Sequence, residues 1–170
     1  MRYLLAQVNI GRLRAPIDSP ALTDFVAALD PVNEAADAAP GFVWRLQTED
    51  GNATAVRAFE WDVAGGAGVL INMSVWESVE ALADFVYSAE HRRVLRRRRE
   101  WFEQIHEAYT ALWWTPVGVI PTVAAAEEKI RYLRAHGPTP LAFTLRVHYL
   151  PPGSADAEPR AGRDDWLCLA

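Results

Sequence analysis

Residues 68–76 alternate apolar and polar side chains with the two-residue period of a β-strand. One face of this stretch is wholly apolar and consists of Val69, Ile71, Met73 and Val75. The other face carries an amide, a hydroxyl and an indole, from Asn72, Ser74 and Trp76. Residues 3–10 repeat the pattern, with Gln7 and Asn9 on the polar-studded face. We therefore predict two strands, each with one apolar face and one face that carries polar groups.

Helical spacing replaces this alternation after Trp76. Ser78 is a good N-cap residue, Glu80 falls in the first turn, and apolar residues follow at helical spacing up to Val86. Beyond Val86, the run of arginines falls into two groups when each residue is placed on a helical wheel at 100° per residue, with Arg98 at zero. The residues within about 60° of Arg98 are His91, Val94, Leu95, Trp101, Phe102 and Ile105. The arginines that point elsewhere, which we predict to be solvated, are Arg92, Arg93, Arg96, Arg97 and Arg99.

Arg98 is centred on an apolar stripe, so its charge needs a partner or a wet cavity. Two interpretations stay open. Arg98 either forms a structural ion pair with an acidic residue of the chain or faces a ligand. In both cases we predict that Arg98 is largely buried and paired, whereas Arg96 and Arg97 are exposed.

Caps, turns and helix breakers define the remaining elements. We predict a helix that begins at Ser19–Pro20 and bends or restarts at Pro31, and a hairpin over residues 41–61 that turns at residues 50–52. A strand over residues 111–121, a short helix from Thr122 to Gly137 and a half-solvated strand over residues 141–150 follow. The tail is polar up to an apolar tip, which we expect to dock in an apolar groove and which comprises Trp166, Leu167 and Leu169.

The order strand, helix, strand, strand, helix, strand predicts an α+β fold of the ferredoxin-like, split βαβ type, with an appended helix and strand. In this fold the first and third strands are neighbours, which places Gln7 and Asn9 beside Asn72 and Ser74. We expect the two helices to cover the opposite, apolar face. The bare second face then predicts a homodimer through the side that bears Gln7, Asn9, Asn72 and Trp76, or at least through the sheet edges beside it, unless the appended elements cover that face. Residues 1–150 form one predicted domain and residues 151–170 a tail.

Composition sets the outer bounds. The chain has 170 residues, of which 51% are hydrophobic, which suits one domain with a real core. A net charge of −5 argues against nucleic acid as a partner. The single cysteine, Cys168, excludes an internal disulfide framework and a cysteine-rich metal site, and we predict no metal. The sequence has no apolar run of membrane-spanning length and no signal peptide pattern, so we expect a cytoplasmic protein.

Several segments of the sequence resemble one bacterial family. They are LAQVNIGRLRAP, GFVWRLQTEDGNAT, NMSVWESVEALADFVYSAEHRRVLRRRREWF, LWWTPVG and HGPTPLAFT, and together they span roughly residues 3–146. The family is the domain of unknown function number 3291, which is similar to the dimeric α/β-barrel superfamily. That resemblance implies relatives among small monooxygenases of antibiotic biosynthesis, polyketide cyclases, stress-response proteins and haem enzymes. It carries over no catalytic residue.

Three functions stay open on this basis. The first is a monooxygenase-like or cyclase-like enzyme of secondary metabolism that binds a flat apolar substrate between sheet and helices, with His91 and Arg98 as catalytic candidates. The predicted substrate-binding residues are Gln7, Asn9, Arg45, Asn72, Ser74, Trp76 and Trp113. The second is a haem protein with His91 or His106 as the iron ligand. The third is a ligand-binding or stress protein without catalysis. No HExxH motif, nucleophile elbow or dinucleotide glycine motif supports another enzyme class.

Overall fold

A four-stranded antiparallel sheet forms the centre of the molecule. The computed structural model describes residues 1–62, 64, 66–156 and 158–162. The strands of the sheet are β1 (Tyr3–Arg12), β2 (Phe42–Arg45), β3 (Val69–Trp76) and β4 (Thr110–Pro116). Their order across the sheet is β2-β3-β1-β4, with all pairs antiparallel. This is the ferredoxin-like order, so the predicted α+β fold class is confirmed.

The register across the central strands agrees with the sequence prediction. Gln7 lies opposite Ser74, and Asn9 lies opposite Asn72. On the other side of β1, Asn9 lies opposite Thr110. Because residues in register share a face of the sheet, these five side chains form a polar region on one face of β1, β3 and β4.

Helices cover this polar-studded face, which corrects the expectation that they would cover the apolar one. They are α1 (Thr23–Asp37), α2 (Val79–Val86), α3 (Ala89–Arg96) and α4 (Arg98–Trp101). The side chain of Ser78 caps α2, and that of Ser88 caps α3 by accepting from the N–H of His91. The single helix predicted after Ser78 is therefore divided by a second cap. In contrast, α1 continues through Pro31 without a restart.

The apolar face of the sheet is covered within the same chain. Helix α5 (Val123–His136) and the segment of residues 56–61 pack against Val8 and Met73 of this face. Phe59 is fully buried there, with a positive φ of 56°, and Glu127 of α5 accepts hydrogen bonds from the Phe59 N–H and the Trp61 Nε1. Cover by the appended helix within one chain was the stated alternative to a partner subunit, but α5 covers the apolar face and not the polar-studded one.

The prediction that a second copy packs on the polar-studded face is therefore wrong. Helices α1–α3 cover the side that bears Gln7, Asn9, Asn72 and Trp76, so a second copy cannot pack directly on it. Dimerisation itself stays a prediction. Among the described helices, none is long and apolar enough to cross a membrane.

An ion network centred on the buried pair Arg12 and Asp62 holds the elements that cover the apolar face. Arg12 donates from Nε and Nη2 to the two carboxylate oxygens of Asp62, each at 3.0 Å. Arg12 also binds Glu107, and this hydrogen bond lowers the pKa of the Glu107 carboxyl. Arg134 of α5 lies 3.5 Å from Asp62 and donates from Nε to the carbonyl of Ala108. The network joins β1, the covering segment and α5.

Two predicted strands take other forms. The turn at Gly51 forms with a φ of 77°, but β2 pairs only with β3 in the described part of the chain, and residues 56–61 cross to the apolar face instead. Of residues 141–150, only β5 (Val147–His148) is regular, and it pairs with β6 (Arg160–Ala161). Phe143 forms an isolated bridge to Leu112. The tail tip predicted to dock lies outside the described residues.

Candidate functional site

A cavity lies between the polar-studded face and helices α1 and α3, and it has two chambers. The larger chamber has a volume of about 160 Å³. Its walls are largely apolar and include Phe25, Leu29, Val94, Leu95, Trp101 and Phe102. The smaller chamber has a volume of about 60 Å³ and is more polar, with Gln7, Arg45, Ser74 and Trp76 in its walls. Both chambers are lined by Asn9, Val32, Asn33, Asn72 and His91, which we call the waist.

The floor of the waist carries two neighbouring amides. In the described part of the structure, the side chains of Asn9 and Asn72 have no hydrogen-bond partner in the protein. Asn72 is exposed although it lies on a central strand, because the cavity opens above it. Beside Asn9, the hydroxyl of Thr110 is buried and has no hydrogen-bond partner either. A buried polar group without a partner is costly, which applies to the Thr110 hydroxyl, and the two accessible amides offer donors and acceptors beside it, so this floor is suited to receive polar groups of a ligand.

The floor of the smaller chamber, in contrast, has its own hydrogen bonds. The indole Nε1 of Trp76 donates to the hydroxyl of Ser74 at 2.8 Å, and that hydroxyl donates to Oε1 of Gln7 at 2.9 Å. The ring of Trp76 is also stacked against Phe85, with centroids 5.2 Å apart. These contacts fix the orientation of three predicted site residues, which give the smaller chamber a rigid wall.

His91 lies at the waist in a defined tautomer. Its Nδ1 is 3.0 Å from the carbonyl oxygen of Val86, and a carbonyl can only accept, so Nδ1 carries the proton. Nε2 of the neutral ring is then the proton acceptor. Burial lowers the pKa of His91, and the bond to Val86 opposes that shift only in part. His91 is therefore a neutral base near pH 7.

Arg98 is half-buried, whereas Arg96 and Arg97 are exposed. The predicted contrast between these arginines is confirmed, although Arg98 is less buried than expected. Its Nη2 donates to the hydroxyl of Tyr109 at 2.9 Å, and its guanidinium lies 5.5 Å from the Tyr109 ring centroid. Arg98 lines the larger chamber, as do all the residues projected onto its side of the arm.

Replacing Arg98 with Ala should lower the free energy of unfolding by about 1–3 kcal/mol, because the buried hydroxyl of Tyr109 loses a charged partner. Arg97→Ala is the matched control. The ion pairs of Arg97 with Asp24 and Glu100 lie at the surface and contribute little. Urea unfolding of both variants measures the difference, and equal stabilities would contradict the placement of Arg98.

Of two other predicted site residues, the structure places one in the cavity and the other outside it. Arg45 lines the smaller chamber, where Asp37 holds it through two hydrogen bonds of 2.8 and 3.1 Å. The prediction that Trp113 lines the cavity is wrong. It points to the opposite face of the sheet and is buried in the core beside Ile130, because alternation along β4 sends Trp114 to the cavity side instead.

The aromatic wall of the larger chamber depends on Gly11. Phe25 contacts Trp101 at 5.4 Å and Phe102 at 5.1 Å between ring centroids. A Cβ atom added to Gly11 would lie 2.6 Å from Cδ1 of Phe102. Only glycine lets this ring approach the sheet so closely.

Gly11→Ala should therefore displace Phe102 and lower stability by about 1–3 kcal/mol, as overpacking does. Gly66→Ala is the control, because an added Cβ there meets no atom within 4 Å. Thermal unfolding distinguishes the two substitutions. A Gly11→Ala protein as stable as the control would show that the wall is not tightly packed.

Sequence reasoning missed two polar contributors to the site. Asn33 of α1 belongs to the waist, and Tyr109 precedes β4 and contacts Arg98. The apolar stripe Phe25, Leu29 and Val32 marked the inner face of α1, and Asn33 adjoins that stripe. No pattern pointed to Tyr109, because its role arises from a contact between separate elements.

Among the described residues, no three His, Cys, Asp or Glu side chains cluster to hold a metal ion.

Haem does not fit this cavity. A cavity of about 150 Å³ accommodates one benzene ring, and haem is several times larger than that ring. Nδ1 of His91 donates to Val86 and leaves Nε2 free, but the cavity that His91 lines is too small for haem. His106 is exposed and lines neither chamber, so it is not placed to ligate an enclosed haem iron.

Solved structures with a similar fold are distant in sequence. Rv0793 from Mycobacterium tuberculosis is 15% identical, over 70% of this chain and 99% of that one, with a TM-score of 0.43. SnoaB, a cofactor-independent oxygenase from Streptomyces nogalater, is 12% identical over 72% of this chain and 100% of its own, with a TM-score of 0.42. NE2512, a protein of unknown function from Nitrosomonas europaea, is 11% identical over 71% and 94%, with a TM-score of 0.41. Likenesses this distant carry no argument about ligand or reaction.

No curated protein matches the chain significantly. A family model does match, and it covers residues 4–159, further into the tail than the segments that carried the resemblance. The match spans most of the sequence, and it confirms the resemblance. The chain belongs to the family described as domain of unknown function (DUF3291).

Proposed function

We propose that this protein binds a small, largely apolar molecule in the two-chambered cavity and acts on it as a monooxygenase-like or cyclase-like enzyme. The observation that carries the proposal is the pair of amides from Asn9 and Asn72, which lie side by side on the cavity floor without protein partners. Apolar walls with a few convergent polar groups are typical of small-molecule sites. The cavity combines both features.

His91 is the residue best suited to chemistry at this site. It is at the waist, its proton is fixed on Nδ1, and its Nε2 is free to accept a proton from a bound ligand. Proton removal leaves an enolate or phenolate, which is what ring closure onto a carbonyl or attack by molecular oxygen requires. Because the charge of an enolate or phenolate is delocalised, Arg98 in the wall of the larger chamber stabilises the part of it that lies in that chamber.

Thermal stabilisation by a library of small apolar compounds tests the binding part. A compound at about a hundred times its Kd adds about 2.7 kcal/mol of stability, which raises the Tm of a chain of this size by several degrees. Asn72→Leu should roughly halve that shift, because a tenfold weaker Kd leaves about 1.4 kcal/mol of stabilisation at the same concentration. A library that stabilises neither protein, or both equally, contradicts the proposal.

Catalysis is tested separately with His91→Gln. This variant should still bind the compound, because the amides and apolar walls remain, but it should lose oxygen consumption or ring closure by a factor of about 10² to 10⁴. A wild-type protein that binds without turnover supports the third function, a ligand-binding or stress protein.

The pH dependence of stability follows from the burial of His91. The folded-state pKa lies below the usual value of 6.5, so the unfolded chain takes up a proton first as the pH falls. The stabilising contribution of neutral His91 is complete above that value and is lost as the pH falls from there toward the folded-state pKa. The imidazole resonance of His91 should titrate with a midpoint below 6.5. A midpoint at or above that value would contradict this account.

A further inference from the structure

We propose that the ligand is an uncharged molecule with one six-membered aromatic ring and a short oxygen-bearing group. The ring occupies the larger chamber, and the oxygen-bearing group reaches through the waist into the smaller chamber. This inference rests on the proposed function of the same site. It narrows the ligand to a class by the sizes and charges of the two chambers.

The size of the larger chamber limits the ring system. Its volume of about 160 Å³ is close to that of an engineered cavity of about 150 Å³ that binds benzene. A second fused ring would exceed this volume, so it would either project from the mouth of the chamber or displace the wall. That wall includes Phe25, which is held by Trp101 and Phe102 in tilted and edge contacts at 5.4 and 5.1 Å. Such contacts favour an aromatic guest, whose ring can join the same edge and face arrangement.

The waist and the smaller chamber limit the polar group. Asn9, Asn33 and Asn72 come from β1, α1 and β3, and each amide offers donors and an acceptor. The smaller chamber has a volume of about 60 Å³, and a water molecule in the liquid takes up about 30 Å³. A hydroxyl, carbonyl or carboxamide group fits this space, whereas a long polar chain does not.

The charges around the smaller chamber favour a neutral group. Its cation, Arg45, is neutralised by Asp37 and also donates from Nη1 to the carbonyl of Gly51 at 2.6 Å. Arg98 lines only the larger chamber, on the side of the ring. A carboxylate in the smaller chamber would thus lose its water without gaining an available cation, which is strongly unfavourable.

Isothermal titration calorimetry with three matched probes tests this inference. Benzyl alcohol has one ring and a neutral group, benzoate has the same ring with a charge, and naphthalenemethanol has a second ring with the same neutral group. Benzyl alcohol should bind at least about tenfold more tightly than either of the others, which is a difference of about 1.4 kcal/mol. Asn33→Leu and Asn72→Leu should each weaken its binding by about tenfold, because each removes one hydrogen-bond partner. Gln104→Leu, an exposed amide outside the cavity, should leave binding unchanged.

The outcomes separate this inference from the proposed function. Tighter binding of benzoate or naphthalenemethanol, weakened by Asn72→Leu, overturns the ligand class and leaves the cavity as a binding site. Binding of none of the three probes, or binding that no waist substitution weakens, overturns the ligand class and the proposed function together.

Discussion

Asp62→Ala should be the most destabilising single substitution considered for this chain, with a loss of about 3–5 kcal/mol in the free energy of unfolding. Asp62 is buried and pairs with Arg12 through both carboxylate oxygens, while Arg134 approaches it at 3.5 Å. Removal of Asp62 leaves two cations, Arg12 and Arg134, beside the single carboxylate of Glu107, so the positive charge there is no longer balanced, and that cost explains the predicted magnitude. The segment of residues 56–61 should also loosen from the apolar face.

Chemical denaturation measures this loss, and Asp24→Ala is the control. Asp24 also pairs with an arginine, Arg97, but both partners are exposed, so its removal should change stability little. Exposure of the apolar face should in addition increase the binding of a hydrophobic dye by Asp62→Ala. If the two variants are equally stable, the buried network does not fasten the fold.

The double variant Asn9→Leu/Asn72→Leu should lose ligand binding by about a hundredfold or more without loss of stability, because two hydrogen-bonding groups are removed at about 1.4 kcal/mol each. Neither amide has a protein partner in the described structure, so their replacement breaks no internal hydrogen bond. Asn72 is exposed to the cavity and Asn9 is half-buried, so replacement of their amides should change stability little. Unchanged stability together with lost binding is the mark of residues retained for a ligand.

Affinity by calorimetry and Tm by calorimetric scanning, measured on the same samples, test this combination. Ser74→Ala is the control. The Ser74 hydroxyl has hydrogen-bond partners within the protein, so this substitution should lower stability by breaking the link between Trp76 and Gln7. A double variant that unfolds more easily than wild type would show that the two amides are structural.

Much of the fold was predictable because local signals agreed with one another. Alternation gave the faces of β1 and β3, and the cap at Ser78 gave the start of α2. The ferredoxin-like order placed Gln7 and Asn9 beside Asn72 and Ser74, and the structure supplies the register, with Asn9 opposite Asn72. The projection around Arg98 placed seven side chains in one chamber, because only the short break at Arg97 interrupts the helix between His91 and Trp101. Phe102 and Ile105 also line the chamber, although they lie beyond the end of α4.

The failures have a different physical origin. Alternation shows which residues share a face but not which elements cover that face, so the helices were assigned to the wrong side of the sheet. Trp113 was misplaced for a related reason, since only pairing of β4 with β1 decides that Trp114 shares the side of Leu5. The cover made by Phe59 needs a positive φ and a long-range clasp by Glu127, neither of which has a local sequence signal.

The central claim is that the waist between the two chambers receives the ligand. Nuclear magnetic resonance of the side-chain amides tests it directly, with whichever compound raises the Tm most. The resonances of Asn9, Asn33 and Asn72 should shift together and saturate at one Kd. The amide of Asn52, which is held in the surface turn by hydrogen bonds to Thr54 and Asp50, should not move. If the compound binds but shifts only resonances outside the cavity and leaves the three waist amides unchanged, the assignment of the functional site is wrong.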